Sequence, residues 1–145
     1  MNYLKIAGII KIYFFLFITF LLPIKGILIA VGLSIFADTV SGIYKARKLK
    51  QPITSRKLSN VISKMFLYQG AVVLLYVIDK FILGDIISLF FSVPLLVTKL
   101  AAMTMIVIEM KSINENYKDV IGYSMWNKFK IMINRAKDLK DSIDQ

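Results

Sequence analysis

Long apolar stretches separated by short polar breaks occupy the first three quarters of the chain. A helix that crosses the hydrocarbon core of a bilayer needs about 20 mainly apolar residues. The pattern therefore predicts an all-α integral membrane protein with four transmembrane helices, in a domain of residues 1–108 followed by a cytoplasmic tail of residues 109–145. The predicted spans are residues 6–23, 26–45, 65–83 and 86–108. Three spans are the alternative, because the first apolar run is short after Lys11.

Two polar breaks organise these spans. Pro23, Ile24, Lys25 and Gly26 predict a tight turn between the first two spans. The loop of residues 45–64 carries seven cations and no acid: Lys45, Arg47, Lys48, Lys50, Arg56, Lys57 and Lys64. Short loops with such an excess of Lys and Arg remain in the cytoplasm. Because four spans place both ends of the chain on the same side as this loop, both termini are expected in the cytoplasm. We interpret the loop mainly as a determinant of membrane topology. Binding of acidic lipids is the alternative interpretation.

Small and polar residues recur at every fourth position of the second span: Gly26, Ala30, Ser34, Asp38, Gly42 and Ala46. On a helix they form a narrow seam that allows close approach of another helix. Because four residues advance 400°, the seam drifts by about 40° at each step. We expect it to serve packing or subunit contact.

Asp38 and Lys99 are ionisable residues within predicted spans. An acid at such a position costs about 3 kcal/mol on insertion scales unless it is paired, hydrated or neutral. Asp38 is predicted to line a polar seam or an aqueous lumen; the alternative is hydration near the inner surface. Counted from the predicted inner ends of the spans, Lys99 lies at a similar depth. An Asp38–Lys99 pair, within or between subunits, is therefore a hypothesis, and independent snorkelling of Lys99 is its alternative.

The tail becomes periodic from Ser124 onward. Its apolar residues fall at helical spacing: Met125, Trp126, Phe129, Met132, Ile133, Ala136, Leu139 and Ile143. Lysine and arginine occupy much of the remaining surface, which predicts a basic amphipathic helix. Such a helix can lie on the inner leaflet or pack against a neighbouring subunit.

Composition supports a membrane protein and excludes several kinds of chemistry. The chain is 57% hydrophobic with a net charge of +10, and its mean hydropathy is +0.67. In this setting the positive charge indicates contact with anionic lipid head groups and not with nucleic acid. The absence of cysteine and histidine excludes disulfides, thiol catalysis, most zinc sites and imidazole chemistry. No base–nucleophile pair or phosphate-binding loop occurs, so we expect neither an enzyme nor a cofactor or metal.

Three motifs resemble those of the toxin-secretion and phage-lysis holins. Asp38, Gly42 and Ala46 match an aspartate-x-x-x-glycine-x-x-x-alanine motif at the end of the second span. A lysine-rich loop then carries Ser55 before further cations. The tail motif follows: Glu109, Ser112, Glu115 and Asn116, with Gly122 after it. The resemblance covers residues 30–122, with Ser41 where threonine is common and a longer helical tail.

The resemblance implies a phage-encoded holin in the inner (cytoplasmic) membrane of an infected bacterium. Such a protein would be a multi-pass homo-oligomer whose partners are copies of itself, the bilayer and, functionally, an endolysin. It would open membrane lesions that release the endolysin or dissipate the membrane potential. Two other classes stay open: a small ion channel or transporter, and a membrane adaptor that docks a cytoplasmic partner.

Overall fold

A computed structural model describes the backbone of residues 2–143 and the side chains of residues 6–137. All regular secondary structure in this part is helical, with no strand, so the all-α prediction is confirmed. Residue 1 and residues 144–145 of the predicted domains lie outside the described residues. So do the side chains of Leu139 and Ile143, which belong to the predicted apolar face of the tail.

The first two helices follow one another without a loop. Helix α1, Asn2–Leu21, continues through a 3-10 turn, Leu22–Ile24, into helix α2, Lys25–Lys48. The predicted tight turn at Pro23 is therefore wrong. Pro23 lies in the 3-10 turn that joins the two helices, and its fixed φ suits a helical backbone. Of the described residues, Ile6–Lys48 form the one helix long and apolar enough to cross a membrane.

Helix α3, Ser55–Ile78, begins inside the predicted basic loop. Since α2 continues to Lys48, only residues 49–54 of that loop are non-helical. Pro52 disfavours helix at the residue before it, and Thr54 is extended (φ −95°, ψ 152°) immediately before α3. Lysine and arginine are good helix formers, so the rest of the basic segment extends the two neighbouring helices. The topological role of this segment stays a prediction.

The second half of the chain departs further from the predicted spans. Its elements are a π-helix, Asp79–Leu83; helix α4, Gly84–Ser88; helix α5, Leu96–Ile121; and helix α6, Met125–Ile143. The prediction of a continuous helix over 86–108 is wrong, because residues 89–95 are non-helical around Pro94. Leu95 has a left-handed conformation (φ 56°) immediately before α5. Helix α5 then runs well past residue 108, into the segment predicted as tail.

Helices α2, α3 and α5 pack together as a bundle, with α3 antiparallel to the other two. The Gln69 side chain donates a hydrogen bond to the Leu28 carbonyl (3.0 Å), and the Tyr76 hydroxyl donates to the Phe20 carbonyl (3.1 Å). The buried core consists of Ile24, Val31, Ile35, Val72, Tyr76 and Ala102.

Helix α1 lies almost entirely outside this core. Residues 6–19 are exposed along the whole helix, and the side chains from Tyr13 to Phe17 are each more than half exposed. A soluble monomer rarely exposes a contiguous apolar surface of this kind. The fold therefore presents α1 to lipid or to another protein surface.

Candidate functional site: an ionic cluster between three helices

An ionic cluster lies where α2, α3 and α5 meet, toward the end of the bundle that carries the basic segment. The Lys64 ammonium on α3 is 2.5 Å from Glu109 Oε2 on α5 and 3.2 Å from Asp38 Oδ2 on α2. Glu109 is fully buried, whereas the side chains of Asp38 and Lys64 are 16% and 29% exposed. One lysine therefore connects carboxylates from the two other helices of the bundle.

Neutral polar groups extend the cluster along α2 and α5. The Asn116 amide nitrogen on α5 donates to Ser41 Oγ (2.9 Å) and, more weakly, to Asp38 Oδ1 (3.4 Å). Nearer the end of the bundle, Lys45 and Asp119 form a second ion pair at 2.5 Å. Polar contacts thus hold α2 against α5 over several turns.

The cluster contains two carboxylates and one ammonium, so it carries one uncompensated negative charge when all three groups are ionised. Glu109 Oε1 is buried and has no hydrogen-bond partner among the described residues. A buried charge is tolerated only when it is paired or hydrogen-bonded. Lys64 is therefore the group that allows both Asp38 and Glu109 to lie inside the bundle, and separating the helices would leave them unpaired.

The opposite end of the bundle has its own buried carboxylate. Asp79, 2% exposed, accepts hydrogen bonds at Oδ2 from the backbone N–H and the hydroxyl of Thr98, each at 2.7 Å. Since Thr98 lies in the first turn of α5, Asp79 caps that helix from a neighbouring element. Sequence reasoning missed this contact, because the start of α5 was not predicted.

The seam of small residues on α2 is only partly used within the chain. Asp38 and Gly42 lie beside Asn116 of α5, and Ala46 is buried. The six predicted positions are Gly26, Ala30, Ser34, Asp38, Gly42 and Ala46. The first two are exposed, and Ser34 is half-buried with its hydroxyl donating to a carbonyl of its own helix. The drift expected for a four-residue repeat accounts for this change of face.

Lys99 lies elsewhere than expected. It follows Thr98 in the first turn of α5, whereas the cationic partner of Asp38 within the chain is Lys64. The expected Asp38–Lys99 pair is thus not formed within one chain. The depth estimate failed because it took Glu109 as the inner end of the helix, and α5 continues to Ile121. A pair between subunits stays a prediction.

The predicted tail motif contributes two of its four residues to the cluster. Glu109 and Asn116, two turns apart on α5, face α2 and α3. Ser112 is half-buried and Glu115 is exposed. The motif therefore contributes contacts within the chain, and a role in subunit contact stays a prediction.

The predicted loop cations divide into two groups. Lys64 and Lys45 are engaged in the ion pairs described above. The others are exposed: Arg47, Lys48, Lys50, Arg56 and Lys57. Among the described residues, no group of three or more acidic, histidine or cysteine side chains could hold a metal ion.

Comparison with known proteins gives this geometry a context. The bacteriophage holin family matches residues 6–138, which is nearly the whole chain. The chain belongs to the bacteriophage holin family. The match confirms the resemblance drawn from the three motifs, and it includes the cluster and most of α6. No curated protein and no solved structure matches the chain.

Membership in the holin family has consequences for location and chemistry. It implies a membrane protein of the host inner membrane. Members of the family permeabilise membranes and are not enzymes. The ionic cluster thus belongs to a member of a membrane-permeabilising family.

Proposed function

We propose that this protein self-assembles in the inner membrane of an infected bacterium and permeabilises it. The resulting lesions would let a cytoplasmic endolysin reach the cell wall, or would dissipate the membrane potential. The family match over residues 6–138 carries the proposal. The features of the fold described next support it.

The filled core favours assembly of several copies. The space between α2, α3 and α5 is occupied by fully buried side chains, including Val31, Val72 and Tyr76. A path for ions or proteins would therefore form between copies of the chain. Exposed apolar surface on α1 and around Phe81, Leu89 and Phe90 is available for such contacts.

Lysines near both ends of each bundle helix support a transmembrane placement. They are Lys25 and Lys45 on α2, Lys80 and Lys57 at the ends of the α3 segment, and Lys99 and Lys118 on α5. At roughly 1.5 Å per residue, the two lysines of each pair are about 28 to 35 Å apart along the helix, similar to the hydrocarbon thickness. The ionic cluster would then lie about 10 Å deeper in the membrane than the lysines at the cytoplasmic ends of these helices.

In this placement the basic segment and α6 face the cytoplasm, in agreement with the positive-inside rule. A cytoplasmic N-terminus additionally requires α1 to fold back at the 3-10 turn. Cysteine labelling with a membrane-impermeant reagent at Gly8 and, separately, at Lys50 would test both assignments. The native chain has no cysteine that would interfere.

The functional test is induced expression in a bacterial host together with an endolysin that lacks a signal sequence. Optical density and membrane potential are followed together, and each protein alone is the control. Abrupt lysis after a delay, only when both proteins are present, is the expected result. Depolarisation without lysis would indicate small lesions or a channel, which ion selectivity would distinguish. If the protein reaches the membrane and neither quantity changes, the proposal fails.

A further inference from the structure

A groove of about 320 Å³ opens beside the ionic cluster, at the end of the bundle that carries the basic segment. It lies between the last turns of α2, the 49–54 connection and the first turns of α3. Ile43, Ile53, Leu58 and Val61 provide apolar walls. Because Ile53 and Leu58 are also exposed, the groove is open to the surroundings.

The floor of the groove is polar, and its charged side chains already have ionic partners within the chain. Asp38 and Lys64, which line it, belong to the ionic cluster, and Lys45 pairs with Asp119. With Glu109 the cluster keeps one net negative charge when all three groups are ionised, but the Glu109 carboxylate is fully buried and does not line the groove. An anion is therefore expected at the mouth of the groove and not on its floor.

The mouth of the groove is strongly positive. Lys57 lines it and has no acidic partner among the residues whose side chains are described. Arg47, Lys50 and Arg56 lie on the adjacent segments and are exposed. A ligand with a negative group at the mouth and apolar groups within the groove would match this arrangement.

The start of α3 contributes to the same positive potential. Thr54 precedes the helix without a side-chain cap, and the first turn contains no acid. The backbone N–H groups of Lys57 and Leu58 bond to the Thr54 carbonyl, which leaves those of Ser55 and Arg56 without a helical acceptor. The helix dipole and these two donors favour an anion at this end.

From these observations we infer that the groove binds one anionic phospholipid of the inner leaflet. Its phosphate would lie against Lys57 and the start of α3, and an acyl chain would follow Leu58 and Val61. This inference rests on the proposed membrane placement, which sets Lys57 at the inner head-group level. Apolar walls beneath a cationic mouth distinguish the groove from a diffuse basic surface, which would attract all anionic lipids without retaining one.

The test is native mass spectrometry of the full chain, purified in detergent with phosphatidylglycerol or with phosphatidylcholine of the same acyl chains. The wild type should retain one phosphatidylglycerol and little phosphatidylcholine. Lys57→Gln should weaken the retention of phosphatidylglycerol about fivefold, because one lysine near a phosphate contributes roughly 1 kcal/mol to binding. Lys48→Gln is the matched control, because it removes the same charge from a side chain directed at the Tyr44 ring, outside the groove.

A second variant tests the apolar part of the site. Asn60 is exposed and lines the groove, so Asn60→Trp fills the groove without changing any charge and should also reduce retention. Circular dichroism establishes that each variant is folded. Equal losses for Lys57→Gln and Lys48→Gln, or full retention by Asn60→Trp, would overturn the inference. A groove variant that changes oligomer size but not lipid retention would instead show that another copy of the chain occupies the groove. Because retention is measured in detergent, its failure is distinguishable from failure to lyse cells.

Discussion

Replacing Lys64 by methionine removes the ammonium that joins the two carboxylates while it keeps an aliphatic stem of similar length. Glu109, with 0% exposure, would lose the one ionic partner that it has among the described residues. Removing one member of a buried pair typically costs about 3–5 kcal/mol, because the remaining charge is left uncompensated. Asp38 contributes less, since it is partly exposed and keeps its contact with Asn116. The expected loss in free energy of unfolding is therefore about 3–5 kcal/mol.

A double-mutant cycle separates this electrostatic cost from the loss of packing. Glu109→Gln alone should cost about 1–2 kcal/mol, because Lys64 keeps Asp38 as a partner and the amide oxygen still accepts a hydrogen bond. The double variant, Lys64→Met with Glu109→Gln, should be more stable than Lys64→Met alone by at least about 1 kcal/mol. Unfolding in mixed detergent–SDS micelles, followed by intrinsic fluorescence, measures all four proteins.

Lys111→Met serves as the control for the loss of a lysine. Lys111 is exposed on α5, and its replacement should change the free energy of unfolding by less than about 0.5 kcal/mol. Strict additivity of Lys64→Met and Glu109→Gln would refute the reasoning, because it would mean that the two residues do not interact. So would a Lys64→Met variant as stable as the wild type.

Further predictions concern the opposite end of the bundle and use the same unfolding assay. Thr98→Val removes the hydroxyl that donates to Asp79 and should lower the free energy of unfolding by about 1–3 kcal/mol. Thr98→Ser keeps this donor and is the control. Similar losses of stability in both variants would show that the hydroxyl is not responsible. Gly84→Ala places a Cβ 2.9 Å from the Asp79 carbonyl oxygen and should cost about 1–3 kcal/mol. Gly70→Ala should be neutral or stabilise α3 by up to about 1 kcal/mol, because no atom of the described residues outside the helix backbone lies within 4 Å of the added Cβ. If Gly84→Ala proved more stable than Gly70→Ala, the packing described for the π-helix would be contradicted.

The helical class and several polar positions could be predicted from the sequence because they depend on local patterns. Apolar runs indicated helices, and the periodicity after Ser124 coincides with α6, Met125–Ile143. Asp38 and Glu109 were also singled out, the first as a charge within an apolar run and the second through a family motif. Asp38 required only the neighbouring residues, whereas Glu109 required the resemblance to a known family as well.

The partners of these residues depended on helix ends, which hydropathy does not define. Lys64 was assigned to a loop, although α3 begins at Ser55 and places that lysine inside the bundle. Pro94 interrupts an apolar run without changing its hydropathy, so the start of α5 could not be located. An error in one helix end shifts every inferred neighbour, and for this reason the hypothesis from the sequence pairs Asp38 with Lys99 and not with Lys64.

The loop-free junction between α1 and α2 has a consequence for how the chain fits a bilayer. The continuous helix Ile6–Lys48 has 43 residues and is therefore about 65 Å long, roughly twice the 30 Å hydrocarbon thickness. Tilting by about 40°, the upper end of the usual range, shortens its projection only to about 50 Å. Tilt alone thus cannot remove this hydrophobic mismatch. Pro23 leaves the Thr19 carbonyl without a helical N–H donor, so the helix bends at lowest cost at that point. In a membrane of ordinary thickness, α1 would leave the axis of α2 at this turn.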